Sequence, residues 1–286
     1  MMIRKYKIGN FVVEIKSRAD FQDVEPYSLF LYEGEHTDYY VNVYFTSDLP
    51  LEIENPCCDS QDWACVCEDN ELSFYYKSHD RGVGFYACST KRGKNIDIAI
   101  DEEYHDMLWT RVIFHLIGIE SLVAENNGCV LHSSFIEKEG RAVLFTGPCS
   151  VGKSTQAGLW KKYADAEIIN GDKTLVFEEN GVFYASGLPF SGSSKDCLNK
   201  VLPLGAVICL QQAPENTAQR LESNDAFYKF YKNCYPVSYS RECTGNELDL
   251  AIRLSQKVPV YEYACLADES AVRCLERELC PVLQSL

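Results

Sequence analysis

Residues 142–155 read AVLFTGPCSVGKST, and the fold is decided by how this stretch is read. Ala142 to Thr146 is an unbroken apolar run of strand length, as expected for a strand buried on both faces. The next eight residues, Gly147 to Ser154, satisfy Gly-x4-Gly-Lys-[Ser/Thr] in full. Glycines at the two ends let successive backbone N–H groups turn inward to cradle phosphate oxygens. The helix that begins at Lys153 adds the positive end of its dipole. In a chain of this length the bare pattern arises by chance about once in a hundred sequences, from average residue frequencies. Its place after a buried strand and before a helix lowers that figure further.

The expected nucleotide contacts are therefore Gly147, Cys149, Ser150, Val151, Gly152, Lys153, Ser154 and Thr155. Lys153 would reach the β- and γ-phosphates, and the Ser154 hydroxyl would ligate Mg²⁺. The sheet position beside the loop must supply the remaining chemistry. Ile168-Ile169-Asn170 reads as a short strand ending at Gly171-Asp172, so Asp172 should project from the same sheet edge as Lys153. A carboxylate there can hold Mg²⁺ or take a proton from an attacking hydroxyl. The alternative is an Asx-type turn after Gly171, and the neighbouring loop favours the catalytic role. His132 lies in Cys129 to Ile136, the strand before the loop strand. It fits equally a phosphate or acceptor contact and a core histidine. Ser191, Ser193, Ser194 and Lys195 form a polar loop in which Lys195 could meet an anion, although such loops are commonly only connections.

Working outward, Lys153 to Tyr163 should be a helix. Lys173 to Phe177 and Val182 to Ala185 flank an Asn180-Gly181 turn. Ala206 to Leu210 is another buried strand, Asp225 to Tyr231 a helix capped by Ser223 or Asn224, and Pro259 to Cys265 a late strand. A last helix runs from Asp268 to about Leu279. Upstream, Leu108, Val112, Leu116, Ile119 and Val123 recur at helical spacing and predict one helix over 102–126, stopped at Gly128. Residues 1–103 are β-rich: Phe11 to Ile15, Tyr39 to Phe45, Leu72 to Tyr76, Val83 to Cys88 and Ile96 to Ile100 are aromatic and β-branched runs. The expectation is an α/β protein with a β-rich N-terminal region, 1–103, and a loop-bearing domain, 104–286.

Composition sets the outer bounds. Hydrophobic residues make up 46% of 286 residues, enough for one large core or two smaller ones. Net charge is -15, and residues 1–105 hold 10 Lys or Arg against 20 Asp or Glu. Such a surface repels nucleic-acid phosphates, so no nucleic-acid partner is expected. No run of about 18 apolar residues occurs, so no membrane span is expected. The start, MMIRKYKIGNFVVEIKS, has no signal-peptide core. The 14 cysteines then read as reduced thiols of a cytoplasmic protein. Cys57, Cys58, Cys65 and Cys67 could hold zinc or an iron–sulfur cluster, but their spacing matches no usual knuckle and favours ordinary cysteines.

The order LHSSF, apolar strand, GPCSVGKST, IINGDKTLVF, GLPFSGSS and PLGAVICLQQ resembles the catalytic domain of HPr kinase/phosphorylase and its shorter relatives. These include kinases found beside peptide-modification genes, such as lasso-peptide kinases. The likeness runs from Cys129 to the C-terminus and does not extend to the N-terminal third. It implies a fold related to phosphoenolpyruvate carboxykinase. It implies ATP with Mg²⁺, and phosphoryl transfer to a hydroxyl, typically serine, of a peptide, protein or metabolite other than HPr. On this likeness His132, Lys153, Ser154 and Asp172 take the family roles, and a homo-oligomer is compatible because relatives assemble. Two departures stand out. Gly171 replaces the first of two adjacent aspartates, and Tyr184-Ala185-Ser186-Gly187 lacks the glutamate that completes Mg²⁺ binding. They leave room for a second reading, an ATP-binding switch or scaffold that hydrolyses slowly and serves a peptide-maturation partner.

Overall fold

A computed structural model describes residues 1–68, 71–79, 84–190, 192 and 195–284. The chain is an α/β protein with two sheets, divided into compact units Met1–Ile119 and Glu120–Leu286.

The first unit is built on strands β1 (Met2–Ile8), β2 (Phe11–Ser17), β3 (Tyr39–Thr46), β4 (Cys58–Asp59), β5 (Trp63–Glu68), β6 (Glu71–Lys77), β7 (Phe85–Arg92) and β8 (Asn95–Asp101). They form one sheet in the order β1-β2-β3-β8-β7-β6-β5-β4. The β2–β3 and β3–β8 pairs are parallel and the rest antiparallel. Period-two burial drives the layer: Tyr39, Val41 and Val43 point inward, while Tyr40 and Tyr44 stay exposed. Helix α1 (Thr110–Ile117) packs on this face. Phe114 meets Tyr6 edge-to-face at 5.2 Å between ring centroids. The Asp23 carboxylate ties the layer by accepting from Arg4, the Tyr6 hydroxyl and the Thr110 hydroxyl.

One expectation is corrected here. The single helix over 102–126 is a 3-10 turn at Glu102–Met107, then α1, then α2 (Ile119–Glu125). Gly118, at φ 67°, adopts the left-handed conformation that ends α1. The apolar spacing runs through the break, which is why periodicity alone joined the pieces. Helix α1 packs on β7 and β8, and the first compact unit runs to Ile119. Strands β1, β4 and β5 were not anticipated, and Val83 lies outside the described residues.

The second unit contains β9 (Gly128–Lys138), β10 (Arg141–Thr146), α3 (Lys153–Tyr163), β11 (Glu167–Asn170), β12 (Lys173–Glu179), β13 (Val182–Gly187), β14 (Val201–Gln212), β15 (Thr217–Arg220), α4 (Ser223–Tyr231), α5 (Arg241–Lys257), β16 (Val260–Cys265) and α6 (Glu269–Leu283). Long strands β9 and β14 change partners along their length. Residues 128–132 of β9 pair with β12, and residues 133–138 pair with β10. Residues 201–203 of β14 pair with β13, and its later residues pair with β10 in parallel. The pairings β10-β9-β12-β13-β14-β10 therefore close a ring, and β16 and β15 extend it.

Strand β10 is buried on both faces, as its apolar run foretold. Ala142 and Leu144 join a core with α4 and α5, where Phe230, Leu250 and Leu254 pack. Val143 and Phe145 face Trp160 of α3 and Leu275 and Leu279 of α6. Helix α4 starts at Ser223 after Glu222, with no side-chain cap, so neither Ser223 nor Asn224 caps it. Helix α6 starts where expected and is capped there: the Asp268 carboxylate accepts from Ser270 N at 2.9 Å. Helix α5 had not been foreseen, because its first turns, RECTGN, carry little apolar signal. Among the described residues no helix is long and apolar enough to cross a membrane.

Inside α5, Glu247 is 1% exposed and accepts from Val237 N at 3.0 Å. Burial pushes its carboxyl up to about 7. The native state thus holds this proton at a pH where the unfolded chain has lost it. The stability so gained is complete below the ordinary value of 4.5 and is lost as pH rises through about 7. Glu247→Gln keeps an acceptor for Val237 N and removes the titration. We expect the wild-type thermal midpoint, measured from pH 4.5 to pH 8, to fall relative to that of the variant. Parallel curves would show that Glu247 does not carry the pH dependence.

Candidate functional site

The loop between β10 and α3 follows from three backbone conformations. Gly147 has φ 146°, Ser150 φ 64° and Gly152 φ 114°. At Gly147 a Cβ would sit 3.1 Å from Val151 Cγ1 and 3.3 Å from Leu210 O, so only glycine fits without displacing the loop or β14. These turns curl the chain over the start of α3, whose first N–H groups have no partner within the helix. The Gln212 side chain at the end of β14 clamps the loop from outside, donating to Ser150 O (3.2 Å) and Val151 O (3.4 Å). Cys149, Ser150, Ser154 and Thr155 are exposed. Lys153 is 8% exposed, and its ammonium folds back to donate to Gly147 O (3.1 Å) and Pro148 O (3.0 Å).

His132 stands where β9 changes partners. It is opposite Lys173 of β12, and the next residue, Ser133, is opposite Thr146 at the end of β10. Thr146 Oγ1 donates to His132 O at 2.8 Å, and His132 N donates to Asn233 O at 2.9 Å. Its ring packs on Tyr235, 5.8 Å between centroids. His132 Nε2 lies 3.6 Å from Asp172 Oδ1. The structure thus brings His132, Asp172 and the start of the loop to one place.

Asp172 occupies a jog between β11 and β12, both of which pair with the same strand β9. The Asx-type turn raised as an alternative for Asp172 exists, but Asn170 makes it. Asn170 Oδ1 accepts from Asp172 N (3.0 Å) and Lys173 N (3.1 Å), and its Nδ2 donates to Leu188 O (2.8 Å). With the turn made by its neighbour, no backbone N–H among the described residues caps the Asp172 carboxylate, which is one-third exposed.

Electrostatics at this point are mixed. Burial pushes the His132 imidazole below its ordinary value, and the Lys153 and Lys173 charges push the same way against Asp172. Burial also lowers the Lys153 ammonium, while Cys149 and Asp172 pull it back up. Lys173 lies over the Tyr235 ring at 4.5 Å and pairs with Glu120 at 3.5 Å. Sequence reading missed Asn170, Lys173, Gln212 and Tyr235. Asn170 was legible in principle, as an Asx residue before Gly-Asp. Tyr235 carried no motif.

Lys195 is exposed, while Ser191, Ser193 and Ser194 lie outside the described residues. Beside the loop, a cavity of about 330 Å³ is lined by Pro148, Val151, Leu210, Gln212, Lys232 and Asn233, among others. In the first unit, Cys57 and Cys67 are exposed and Cys65 is buried. Among the described residues no group of three or more His, Cys, Asp or Glu is placed to hold a metal ion.

With this geometry in hand, known proteins offer two likenesses. The family described as SynChlorMet cassette protein ScmC matches residues 97–269, more than half of the chain. The chain belongs to that family. Among solved structures, it is similar to the HPr(Ser) kinase/phosphatase from Coxiella burnetii at 13% identity and a TM-score of 0.31. That match covers 55% of this chain and 95% of the other. No curated protein matches it.

His132 provides a direct test of the site's charge balance. In a pH titration followed by NMR, we expect its imidazole to titrate below the ordinary 6.5. Lys153→Met should raise that midpoint, and Asp172→Asn should lower it further. A midpoint that neither substitution moves would separate His132 from both groups.

Proposed function

We propose that the second unit binds ATP at the β10–α3 loop and transfers the γ-phosphate to a hydroxyl of a peptide, protein or small metabolite. The observation that carries this reading is the meeting of three groups: the Asp172 carboxylate beside His132 Nε2, both within electrostatic reach of Lys153. A loop that cradles phosphates needs a positioned base next to it only if an acceptor must be activated there. The family's description as a cassette protein points, for the acceptor, to another product of the same cassette.

In the transfer, Asp172 takes the proton of the acceptor hydroxyl. The acceptor oxygen forms the new bond to the γ-phosphorus as the bridging P–O bond breaks, its electron pair leaving with ADP. Lys153 exchanges its two carbonyl acceptors for phosphate oxygens. The ammonium already donates as a cation to two neutral carbonyls, and replacing them with anionic phosphate oxygens adds the attraction of opposite charges, so the exchange is favourable. His132, kept neutral by its surroundings, can donate or accept one hydrogen bond at Nε2 and orient the acceptor or the γ-phosphate. The exposed Ser154 hydroxyl and the Asp172 carboxylate are hard oxygen donors of the kind Mg²⁺ uses together with phosphates and water, and two such groups suffice. Mg²⁺ held there would neutralise charge on the β- and γ-phosphates.

A second reading, an ATP-dependent switch or scaffold with slow hydrolysis, is favoured by specific residues. Gly171 supplies no carboxylate beside Asp172. Ser186, in the segment where resembling enzymes carry a glutamate, is buried and donates its hydroxyl to Gly187 O.

Purified protein, Mg²⁺ and γ-labelled ATP, with and without extract of the source cells, separate the two. Phosphoryl transfer predicts label in a peptide, protein or metabolite. Lys153→Met should reduce it by a factor on the order of 10²–10³. Asp172→Asn should reduce it by 10² or more with ATP affinity retained, the usual effect of losing a general base. ATP binding with label released only as free phosphate would move the assignment to the switch. A full rate in Asp172→Asn would remove Asp172 as the base.

A further inference from the structure

The four cysteines in residues 57–67 have no part in the proposed transfer, and the fold places them close together. Cys58 of β4 is the register partner of Cys65 of β5. Cys57 N also donates to Cys65 O, at 2.8 Å. Two residues of the edge strand therefore face one residue of its neighbour, the arrangement of a β-bulge. As direct cross-strand partners, Cys58 and Cys65 carry neighbouring side chains, and Cys58 and Cys57 both help to push the Cys65 thiol up. Cys57 is exposed, Cys58 half-buried and Cys65 buried. One thiol of the pair can thus be reached from solvent while the other waits behind it. No third ligand is placed to make a metal site among the described residues, so two-thiol chemistry is what this arrangement suits.

We propose that Cys58 and Cys65 form a reversible cross-strand disulfide by exchange with a small-molecule disulfide. The Cys58 thiolate attacks one sulfur of the oxidant, forming a mixed disulfide and releasing one thiol. Cys65 gives its proton to water and attacks the Cys58 sulfur, expelling the second thiol. In sum, two protein thiols and one external disulfide become one protein disulfide and two external thiols, a two-electron oxidation of the protein. The order is fixed by burial, which pushes the Cys65 thiol up to about 11 and leaves it protonated until the mixed disulfide sits beside it. Closing the bond pins the short edge strand β4 to β5.

The test uses the full chain, reduced, desalted and exposed to oxidised glutathione. Free thiols are then capped with N-ethylmaleimide. Cleavage before Asp59 and Asp62 puts Cys58 and Cys65 in different peptides, which mass spectrometry reads. We expect a Cys58–Cys65 linked pair, about 2 Da lighter than the two reduced peptides together and released by dithiothreitol. Cys57→Ser should keep the link. Cys65→Ser should leave Cys58 as a glutathione adduct. Recovery of both Cys58 and Cys65 as maleimide adducts in the wild type overturns the proposal, and needs no variant to fold. So does a link that runs instead through Cys57 or Cys67, or adducts no more abundant than at the exposed Cys280. In a parallel arm, reduced protein is dialysed against zinc. One zinc per chain protecting these thiols would replace the disulfide with a metal site.

Discussion

The site rests on one buried side chain. Asn170 is fully buried, and its amide makes four hydrogen bonds: two accepted at Oδ1 from Asp172 N and Lys173 N, and two donated by Nδ2, to Leu188 O and, at 3.9 Å, to Cys197 Sγ. These bonds hold the chain through the break between β11 and β12. Without them, two part-buried backbone N–H groups would lose their acceptor, each at a cost of up to about 1–3 kcal/mol. With them, Gly171 and Asp172 leave the ladder while both strands stay on β9. Ser133 N donates to Asp172 O and Ser134 Oγ to Gly171 O, so β9 holds the jog from the other side. The Asp172 carboxylate is aimed by backbone hydrogen bonds on both sides of it.

The same economy operates at β9. A straight strand keeps its neighbours along its length. This one trades β12 for β10 between His132 and Ser133, and β14 makes the matching exchange. Closing the ring in this way brings the end of β10, the jog before β12 and the middle of β9 together. Three residues separated by up to 40 positions in sequence thereby share one surface. The segment after α4 adds a fourth contribution, since Leu131 bridges Cys234 and Tyr235 N donates to Val130 O.

Local features of this arrangement were legible in the sequence and distant ones were not. The β10 strand, the loop and the helix from Lys153 to Tyr163 follow from an apolar run, two glycines and a helix start, all within 22 residues. The Asn180-Gly181 hairpin is equally local: its left-handed φ values of 52° and 81° are what that dipeptide favours. The Gly118 break was hidden because apolar spacing continues across it, and α5 because its amphipathic stripe begins only at Leu248. Tyr235 could not be placed beside His132 by any periodicity, because their contact depends on how a loop returns to β9. His132 itself was ambiguous for the same reason: its neighbour Asp172 is 40 residues away. The Asx-type turn weighed as the alternative role for Asp172 is made instead by Asn170, two residues earlier.

Charge decides how the loop and the jog can work together. Lys153 carries a positive charge in a partly buried place, and its ammonium is satisfied by two neutral carbonyls, Gly147 O and Pro148 O. Those bonds compensate desolvation only in part, which is why burial still lowers the lysine. Asp172 lies close enough to pull the other way, and its own partner His132 is driven neutral by burial and by two lysines. The cluster therefore holds Lys153 and Lys173 against Asp172 and Glu120, with a neutral imidazole between. A triphosphate entering it would meet one lysine already turned toward the loop and a carboxylate it must share with a cation. That carboxylate is tolerable near phosphates only when a divalent ion or an incoming acceptor proton offsets it. On the proposed reading, nucleotide, metal and acceptor would be coupled through a single aspartate, and Gly171 before it supplies no second carboxylate to take over either role.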